Sequence, residues 1–389
     1  MRARYLLGAA LTALALGSAA CSGDAPMGPD GEARFAKGGK KGGGESAPPL
    51  AEVGSPVDVY GAWHCGNDAC LWGEVRDMTE FDWANAWIVE GAGGAPAVNL
   101  VVLSFVNPLR LLNLTTDAHT VDGVPRGMTP EVVEYFTSRH IRVMLSIGGI
   151  TYVDDWNQAL ATDAWRLGMN AAAVATRLGV GIEIDYEENA GPDLAGLQDF
   201  ISAYRASHPY DASGTDPTAR LTIDLAAGDR WLIALTRHAT TAWLDPADPV
   251  LDYANAMVPN RQPGSADDAI ANWYEHIEGK SRYDPPILPL APAKFTGSLY
   301  IVTGRNEAPE CVDFWSSLQD ATSDFVRRAL PNPDGPGATP GLLGFMFWAA
   351  ETPSTRRIST VPPSSCEGGV GVGATELQIP IPMPPLRQQ

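Results

Sequence analysis

The alternation of short apolar runs with helical patterns is the feature that most constrains how this chain can fold. Helical patterns such as 130–139 and 194–205 carry their apolar residues on one face. Strands that alternate with helices are typical of a parallel sheet with crossover connections. Eight apolar runs are predicted to be strands, at 57–63, 97–105, 142–147, 180–186, 220–225, 253–258, 297–302 and 342–348. Eight strands predict an α/β fold of the closed TIM (β/α)8 barrel type in one domain, with an open doubly wound sheet as the alternative.

The first residues have the layout of an export signal. Arg2 and Arg4 precede an apolar run over 5–16, and small residues follow directly before Cys21. Small residues before a cysteine resemble the lipobox of bacterial lipoproteins, so Cys21 is predicted to carry a lipid. Simple cleavage near the same place is the alternative. Either way, the mature protein is predicted to be exported, as a cell-envelope lipoprotein or a secreted protein.

Composition divides the remaining chain into three parts. Residues 22–55 are rich in Gly, Pro, Ala and Ser and read as a flexible linker. Residues 56–351 hold the predicted barrel. Residues 352–389 are rich in proline, which excludes a helix or a central strand and predicts an extended tail.

Charge and cysteine content limit the partners. The formal net charge of -19 argues against a nucleic-acid surface, which needs clustered Lys and Arg. Besides Cys21 there are four cysteines, Cys65, Cys70, Cys311 and Cys366, and an even number in an exported chain predicts two disulfides. A local Cys65–Cys70 pair is one of three connectivities. No second cysteine or histidine pair follows for a metal, so no metal and no cofactor are predicted. A membrane is expected only through the lipid anchor.

The stretch Gly181–Glu187 carries a row of acids on a predicted strand. Alternate residues of a strand face the same side, so Glu183, Asp185 and Glu187 project together, opposite two isoleucines and a tyrosine. In a barrel these acids point inward, with Glu187 nearest the C-terminal end where barrel active sites lie. Close carboxylates titrate together, and one can stay protonated as a general acid. The alternative is a solvated or salt-bridged row on an edge strand.

The stretch 180–187 resembles the fourth barrel strand of glycoside hydrolase family 18, which reads Asp-Gly-x-Asp-x-Asp-x-Glu. The resemblance implies that Glu187 is the acid/base and that Asp185 orients the substrate's acetamido group, which attacks the anomeric carbon in place of an enzyme nucleophile. Two positions depart from the pattern, because Val180 replaces the first Asp and Glu183 replaces the second.

Two further segments resemble the same family. Ser146, Gly148 and Gly149 match the Ser-x-Gly-Gly that ends the third strand, where the glycines allow close approach of a sugar or of the next strand. A tight turn alone is the alternative. Trp348 matches the tryptophan that ends the eighth strand and forms the floor of the sugar site. For Trp348, simple core packing is the alternative.

The sixth strand departs from the family, which usually places a tyrosine there to hold the acetamido group. This chain has Met257 followed by Val258, Pro259 and Asn260, so Pro259 stands where the tyrosine is expected. Asn260 or Tyr253 is predicted to supply a substitute donor, and the absence of such a donor is the alternative. Together with the export signal, the resemblance thus implies an exported hydrolase of β-1,4 linkages at N-acetylglucosamine, in chitin, chitooligosaccharides or N-glycan cores. The alternatives are a non-catalytic, lectin-like carbohydrate-binding protein on the same barrel and a purely structural surface protein.

Overall fold

The architecture is that of a computed structural model. The described residues are 57–66, 70–90, 94–228, 230–257, 266–300, 311–312, 342–350, 370–371, 381 and 383. The predicted export segment with Cys21, the linker 22–55, and Pro259, Asn260 and Cys366 lie outside the described residues.

Eight parallel strands close into a barrel, which confirms the predicted fold class. Around the barrel the order is β1, β11, β9, β8, β7, β6, β5, β2 and back to β1. The strands are β1 (Val59–His64), β2 (Leu100–Val106), β5 (Arg142–Gly148), β6 (Gly181–Asp185), β7 (Leu221–Leu225), β8 (Ala254–Ala256), β9 (Phe295–Tyr300) and β11 (Gly344–Ala350). Each lies within three residues of a predicted strand.

From β1 to β9, helices connect the consecutive barrel strands, as a parallel barrel requires. They are α1 (Met78–Val89), α2 (Pro108–Leu112), α3 (Pro130–Thr137), α4 (Val153–Leu178), α5 (Leu194–Ser207), α6 (Ile233–His238) and α7 (Ala266–Ile277). The predicted helix at 130–139 begins where the sequence indicates, because Thr129 caps α3 through its side chain and Pro130 occupies the first turn. Helix α4 is broken at Asp163, whose backbone is not helical.

Two short sheets lie outside the barrel. One pairs β3 (Thr120–Val121) with β4 (Val124–Pro125), and the other pairs β10 (Cys311–Val312) with β12 (Val370–Gly371). The barrel strands run from Val59 to Ala350, inside the predicted domain 56–351.

Strand alternation separates an apolar outer layer from a mixed interior. Outward residues such as Ile182, Ile184 and Ile223 pack against the helices in one large buried cluster. The interior floor is a separate apolar cluster, formed by Val59, Trp63, Leu100, Val102, Met144, Tyr253, Leu343 and Met346. The rest of the interior is polar, which is unusual for a buried core and marks where the chemistry lies.

Two described residues of the predicted Pro-rich tail contact the barrel domain. Ile381 and Met383 are half-buried and pack against the outer apolar layer. The sequence places apolar residues at every second position here, so an extended chain presents them on one side.

Within the residues that the structure describes, no helix is both long enough and apolar enough to cross a membrane.

Candidate active site

The acid row of β6 lies inside the barrel. Glu183 and Asp185 are buried, and the isoleucines between them pack in the outer layer. Glu187 follows two residues after the end of β6 and is half-buried at the carboxyl end of the barrel. The alternative of a solvated edge strand is therefore wrong, because β6 pairs on both sides, with β5 and with β7.

Glu183 is held by donors from across the barrel. Trp63 on β1 donates its indole N–H to Oε1 at 2.8 Å, and Asn255 on β8 donates to Oε2 at 2.7 Å. The Thr296 hydroxyl on β9 in turn donates to the Asn255 side-chain oxygen Oδ1 at 2.7 Å. Burial raises the pKa of Glu183 to about 7, although these donors and Ser146 oppose the rise.

Asp185 lies one inward position above Glu183. Burial raises its pKa well above the usual value, and the charges of Glu187 and Glu183 raise it further. Its Oδ1 atom is buried without a hydrogen-bond partner among the described residues. A buried carboxyl oxygen of this kind is available to a donor on a ligand or to a neighbouring carboxylic acid.

The Ser-Ile-Gly-Gly segment packs directly against the backbone of Asp185. The Asp185 carbonyl oxygen accepts hydrogen bonds from the Gly149 N–H at 3.0 Å and from the Trp156 indole at 3.1 Å. Gly148 has a φ of 125°, and a Cβ there would collide with that carbonyl. Gly148 therefore serves close approach of the next strand, whereas a Cβ on Gly149 would meet the Phe105 ring. Ser146 is in register with Glu183 and lowers the pKa of that acid.

Glu187 has the environment that a general acid requires. Burial raises its pKa to about 7, and the backbone N–H of Ile150 donates to its carboxylate, which lowers the pKa in part. Near neutral pH the side chain is thus present in both the protonated and the ionised form, and it can donate and then recover a proton.

The sequence analysis missed a fourth buried acid, Asp224 on β7. The side chain is buried inside the barrel, and burial and the charges of Glu183 and Asp185 raise its pKa well above the usual value. The signal was available, because Leu221, Ile223 and Leu225 alternate with Thr222 and Asp224 just as the isoleucines of β6 alternate with acids.

Trp348 lies near the carboxyl end of β11 beside other aromatic rings. It is half-buried, pairs in register with Trp63, and stacks on Phe105 with ring centroids 5.4 Å apart. Phe105 in turn lies against Gly149, next to the Ile150 N–H that contacts Glu187. The aromatic pair and Glu187 therefore line the same mouth.

A disulfide supports this aromatic pair. Cys65 and Cys70 are bonded, which confirms the local pairing, and they pack against Phe105 and Trp348. The predicted partners Cys311 and Cys366 are not tested, because Cys366 lies outside the described residues and Cys311 is described only through its backbone.

Tyr253 and Met257 lie at opposite ends of β8. Tyr253 precedes β8 at the amino end of the barrel, in the apolar floor and near Arg220. The prediction that Tyr253 supplies a donor beside Glu187 is wrong, since Tyr253 lies on the other side of Glu183. Met257 is half-buried just after β8, and its N–H bonds to the Leu225 carbonyl at 2.7 Å. Asn260 lies outside the described residues.

Most other tryptophans contribute to packing. Trp72, Trp156 and Trp273 are buried, Trp231 is half-buried, and Trp83 is exposed on α1. Across the described ranges, no group of three His, Cys, Asp or Glu side chains is placed to hold a metal ion.

Comparison with solved structures finds chitinases. A glycoside hydrolase family 18 chitinase from Pseudoalteromonas aurantia is 14% identical, with a TM-score of 0.47, over 74% of this chain and 93% of that chain. A chitinase from Aspergillus fumigatus is 13% identical, with a TM-score of 0.43, over 75% and 91%. A family 18 chitinase from Cycas revoluta in complex with (GlcNAc)3 is 12% identical, with a TM-score of 0.35, over 74% and 95%. No protein-family model and no curated protein sequence matches the chain.

Proposed function

We propose that this protein hydrolyses β-1,4 linkages next to N-acetylglucosamine, in chitin, chitooligosaccharides or N-glycan cores. The observation that carries the proposal is the row Glu183, Asp185 and Glu187, which rises through the barrel interior and ends with a half-buried acid of raised pKa at the carboxyl mouth. This is the end at which barrel enzymes bind substrate.

The positions of the acids favour substrate assistance. Asp185 and Glu187 come from one strand and its extension, so they approach a bound sugar from the same side. An enzyme nucleophile and an acid must instead flank the anomeric carbon. In the proposed reaction Glu187 protonates the glycosidic oxygen, and the acetamido oxygen attacks the anomeric carbon as the bond to the leaving group breaks. Asp185 accepts a hydrogen bond from the acetamido N–H and stabilises the positive charge that develops there. Glu187 then removes a proton from water, which opens the cyclic intermediate with retention.

The aromatic pair supports a sugar ligand. The exposed part of Trp348 offers an apolar surface to the C–H face of a pyranose, and Phe105 stacked behind it fixes the ring in place. Trp348 is thus proposed as the floor of the site.

The test is hydrolysis of chitooligosaccharides and of a high-mannose glycoprotein by wild type and Glu187→Gln. Loss of the general acid is expected to lower kcat by about 10²- to 10⁴-fold. Gln keeps the shape of the side chain, so sugar binding should persist in the variant. Glu134→Gln, on the exposed face of α3, removes the same charge away from the mouth; it is the matched control and should keep near wild-type turnover.

No turnover of either substrate by the wild type would sink the hydrolase proposal. Equal binding by the wild type and Glu187→Gln, with the bound sugar intact in both, would favour a carbohydrate-binding protein instead. Export and lipid attachment at Cys21 remain part of the proposal and rest on the sequence alone.

A further inference from the structure

Asp224 and Asp185 lie side by side inside the barrel. The parallel register of β6 and β7 pairs Ile184 with Ile223, so the next residue on each strand is Asp185 and Asp224 respectively. Residues in register on adjacent parallel strands face the same side at a spacing of about 5 Å. Both side chains are buried, with exposed fractions of 4% and 2%. The register thus places the two carboxyl groups at neighbouring inward positions of the barrel.

Asp224 also contacts Glu183. The two carboxyl groups are hydrogen-bonded, and the contact lowers the pKa of Glu183 and raises that of Asp224. A hydrogen bond between carboxyl groups requires a proton between them. Glu183 already accepts from Trp63 and Asn255, so it is the acceptor here too, and Asp224 holds the proton.

The other carboxyl oxygen of Asp224 makes no hydrogen bond among the described residues. Asp224 Oδ1 and Asp185 Oδ1 are both buried without hydrogen-bond partners within the described part of the chain. Leaving buried polar oxygens unmet costs free energy, and fully structural groups are seldom left so. Asp224 therefore has one side engaged with Glu183 and one free oxygen on the strand next to Asp185.

The charged groups around Asp224 are all acidic. Glu183 and Asp185 act on it from β6, Glu187 acts on Asp185 from above, and the neighbours from β8 and β9 are the neutral Asn255 and Thr296. The arginines at the amino end, Arg142 and Arg220, lie near Tyr253 on the far side of Glu183. Among the described residues, none of the groups that act on the pKa of Asp224 is a cation, so proton sharing is the means by which the set limits its charge.

We propose that Asp224 is a positioning residue that relays a proton between Asp185 and Glu183. In the resting state Asp185 and Asp224 are protonated and Glu183 carries the negative charge. When an acetamido group reaches Asp185, the Asp185 proton passes to Asp224 Oδ1 while the Asp224 proton passes to Glu183. Asp185 is then ionised, Asp224 remains neutral, Glu183 is protonated, and the three groups still carry one negative charge in total.

Val180 is buried in the outer apolar layer, so the departure from the motif at this position removes no carboxyl group from the interior set. The inference rests on the proposed hydrolase function for its catalytic meaning, but the shared protons can be measured without any substrate.

The first experiment measures protonation directly in the full-length wild type. Carbon-13 NMR of protein labelled at the aspartate carboxyl carbons, titrated from pH 3 to 9, is expected to show two aspartates that remain protonated at pH 6 and titrate in linked, two-step curves. Asp224→Asn should leave one such aspartate with a single-step curve. If every aspartate carboxyl titrates below pH 5 in the wild type, the relay is overturned.

The second experiment follows the reaction. Asp224→Asn cannot pass a proton, so kcat at neutral pH is expected to fall at least about tenfold while KM changes less than about twofold, and the pH profile should shift. Asp154→Asn removes the same charge from an exposed site at the start of α4 and should leave the profile unchanged. A pH profile of Asp224→Asn that superimposes on the wild type contradicts the relay.

The two proposals fail separately. Linked titration in a protein that hydrolyses neither substrate would leave the relay standing and remove the hydrolase function. Hydrolysis of a substrate by a protein whose aspartates do not titrate together would support the hydrolase function and overturn the relay. Should Asp224→Asn fail to fold, judged by circular dichroism, the wild-type titration decides alone.

Discussion

At the residue scale, the contribution of a buried polar side chain to stability depends on whether it has a hydrogen-bond partner. The Thr296 hydroxyl donates to Asn255, which donates to Glu183, so the threonine fixes the orientation of the amide that anchors an acid. Thr222 is equally buried, but its hydroxyl has no partner among the described residues.

This contrast predicts that the same Thr-to-Val substitution changes the free energy of unfolding differently at the two positions. Thr296→Val keeps the shape and removes the donor, so the free energy of unfolding should fall by about 1–2 kcal/mol. Thr222→Val removes a hydroxyl that makes no bond and should be neutral or slightly stabilising. Urea unfolding of both variants is the measurement, and equal losses in the two would contradict the network.

At the element scale, the junction of β5 and β6 is set by a close backbone contact. Gly148 lets β5 approach the Asp185 carbonyl, and Trp156 from α4 closes the same contact with its indole. The contact between β5 and β6 thus positions the row of acids on β6.

Gly148→Ala should disrupt this junction. The residue has a positive φ, and its new Cβ would meet the Asp185 carbonyl, so the free energy of unfolding is expected to drop by at least about 2 kcal/mol, with loss of activity. Gly191→Ala is the control, because a Cβ at that exposed position meets nothing within 4 Å. A Gly148→Ala protein as stable as the control would show that the approach is not required.

At the scale of the whole molecule, the buried acids make stability depend on pH. The folded-state pKa values of Glu183 and Glu187 are raised to about 7, and those of Asp185 and Asp224 are also raised. The folded protein therefore keeps protons that the unfolded chain releases above about pH 4. Stability that these groups contribute at low pH is lost as the pH rises through the folded pKa values.

Buried histidines act in the opposite direction at lower pH. His64 and His276 have pKa values lowered to about 4 by burial, so the unfolded chain binds more protons than the folded protein between about pH 4 and 6.5. Their effect has ended by about pH 7.5. Above about pH 7.5, the change of the free energy of unfolding with pH is therefore due to the buried carboxyl groups.

The free energy of unfolding is expected to fall between pH 6.5 and 8.5, by up to about 1.4 kcal/mol per pH unit for each carboxyl still titrating. Urea unfolding across this range measures the slope. Glu187→Gln should flatten it, whereas Glu134→Gln on the exposed face of α3 should not. A wild-type slope of zero would contradict the raised pKa values.

Much of this architecture follows from residues that are close together in the sequence. The alternation in β6 and the apolar strand runs predicted the barrel and the inward acids, because a period of two decides which side each residue faces. The Thr-Pro start of α3 and the short Cys65–Cys70 loop are equally local. These features depend only on neighbours in the chain.

The tertiary structure decided what lies across the barrel. The register of β6 and β7 placed Asp224 beside Asp185, and closure of the barrel brought the Trp63 indole and the Asn255 amide to Glu183. It also put Tyr253 at the amino end, away from Glu187. A strand's own sequence fixes the facing of its side chains, but which strands become neighbours, and at what register, is fixed only when the whole chain closes.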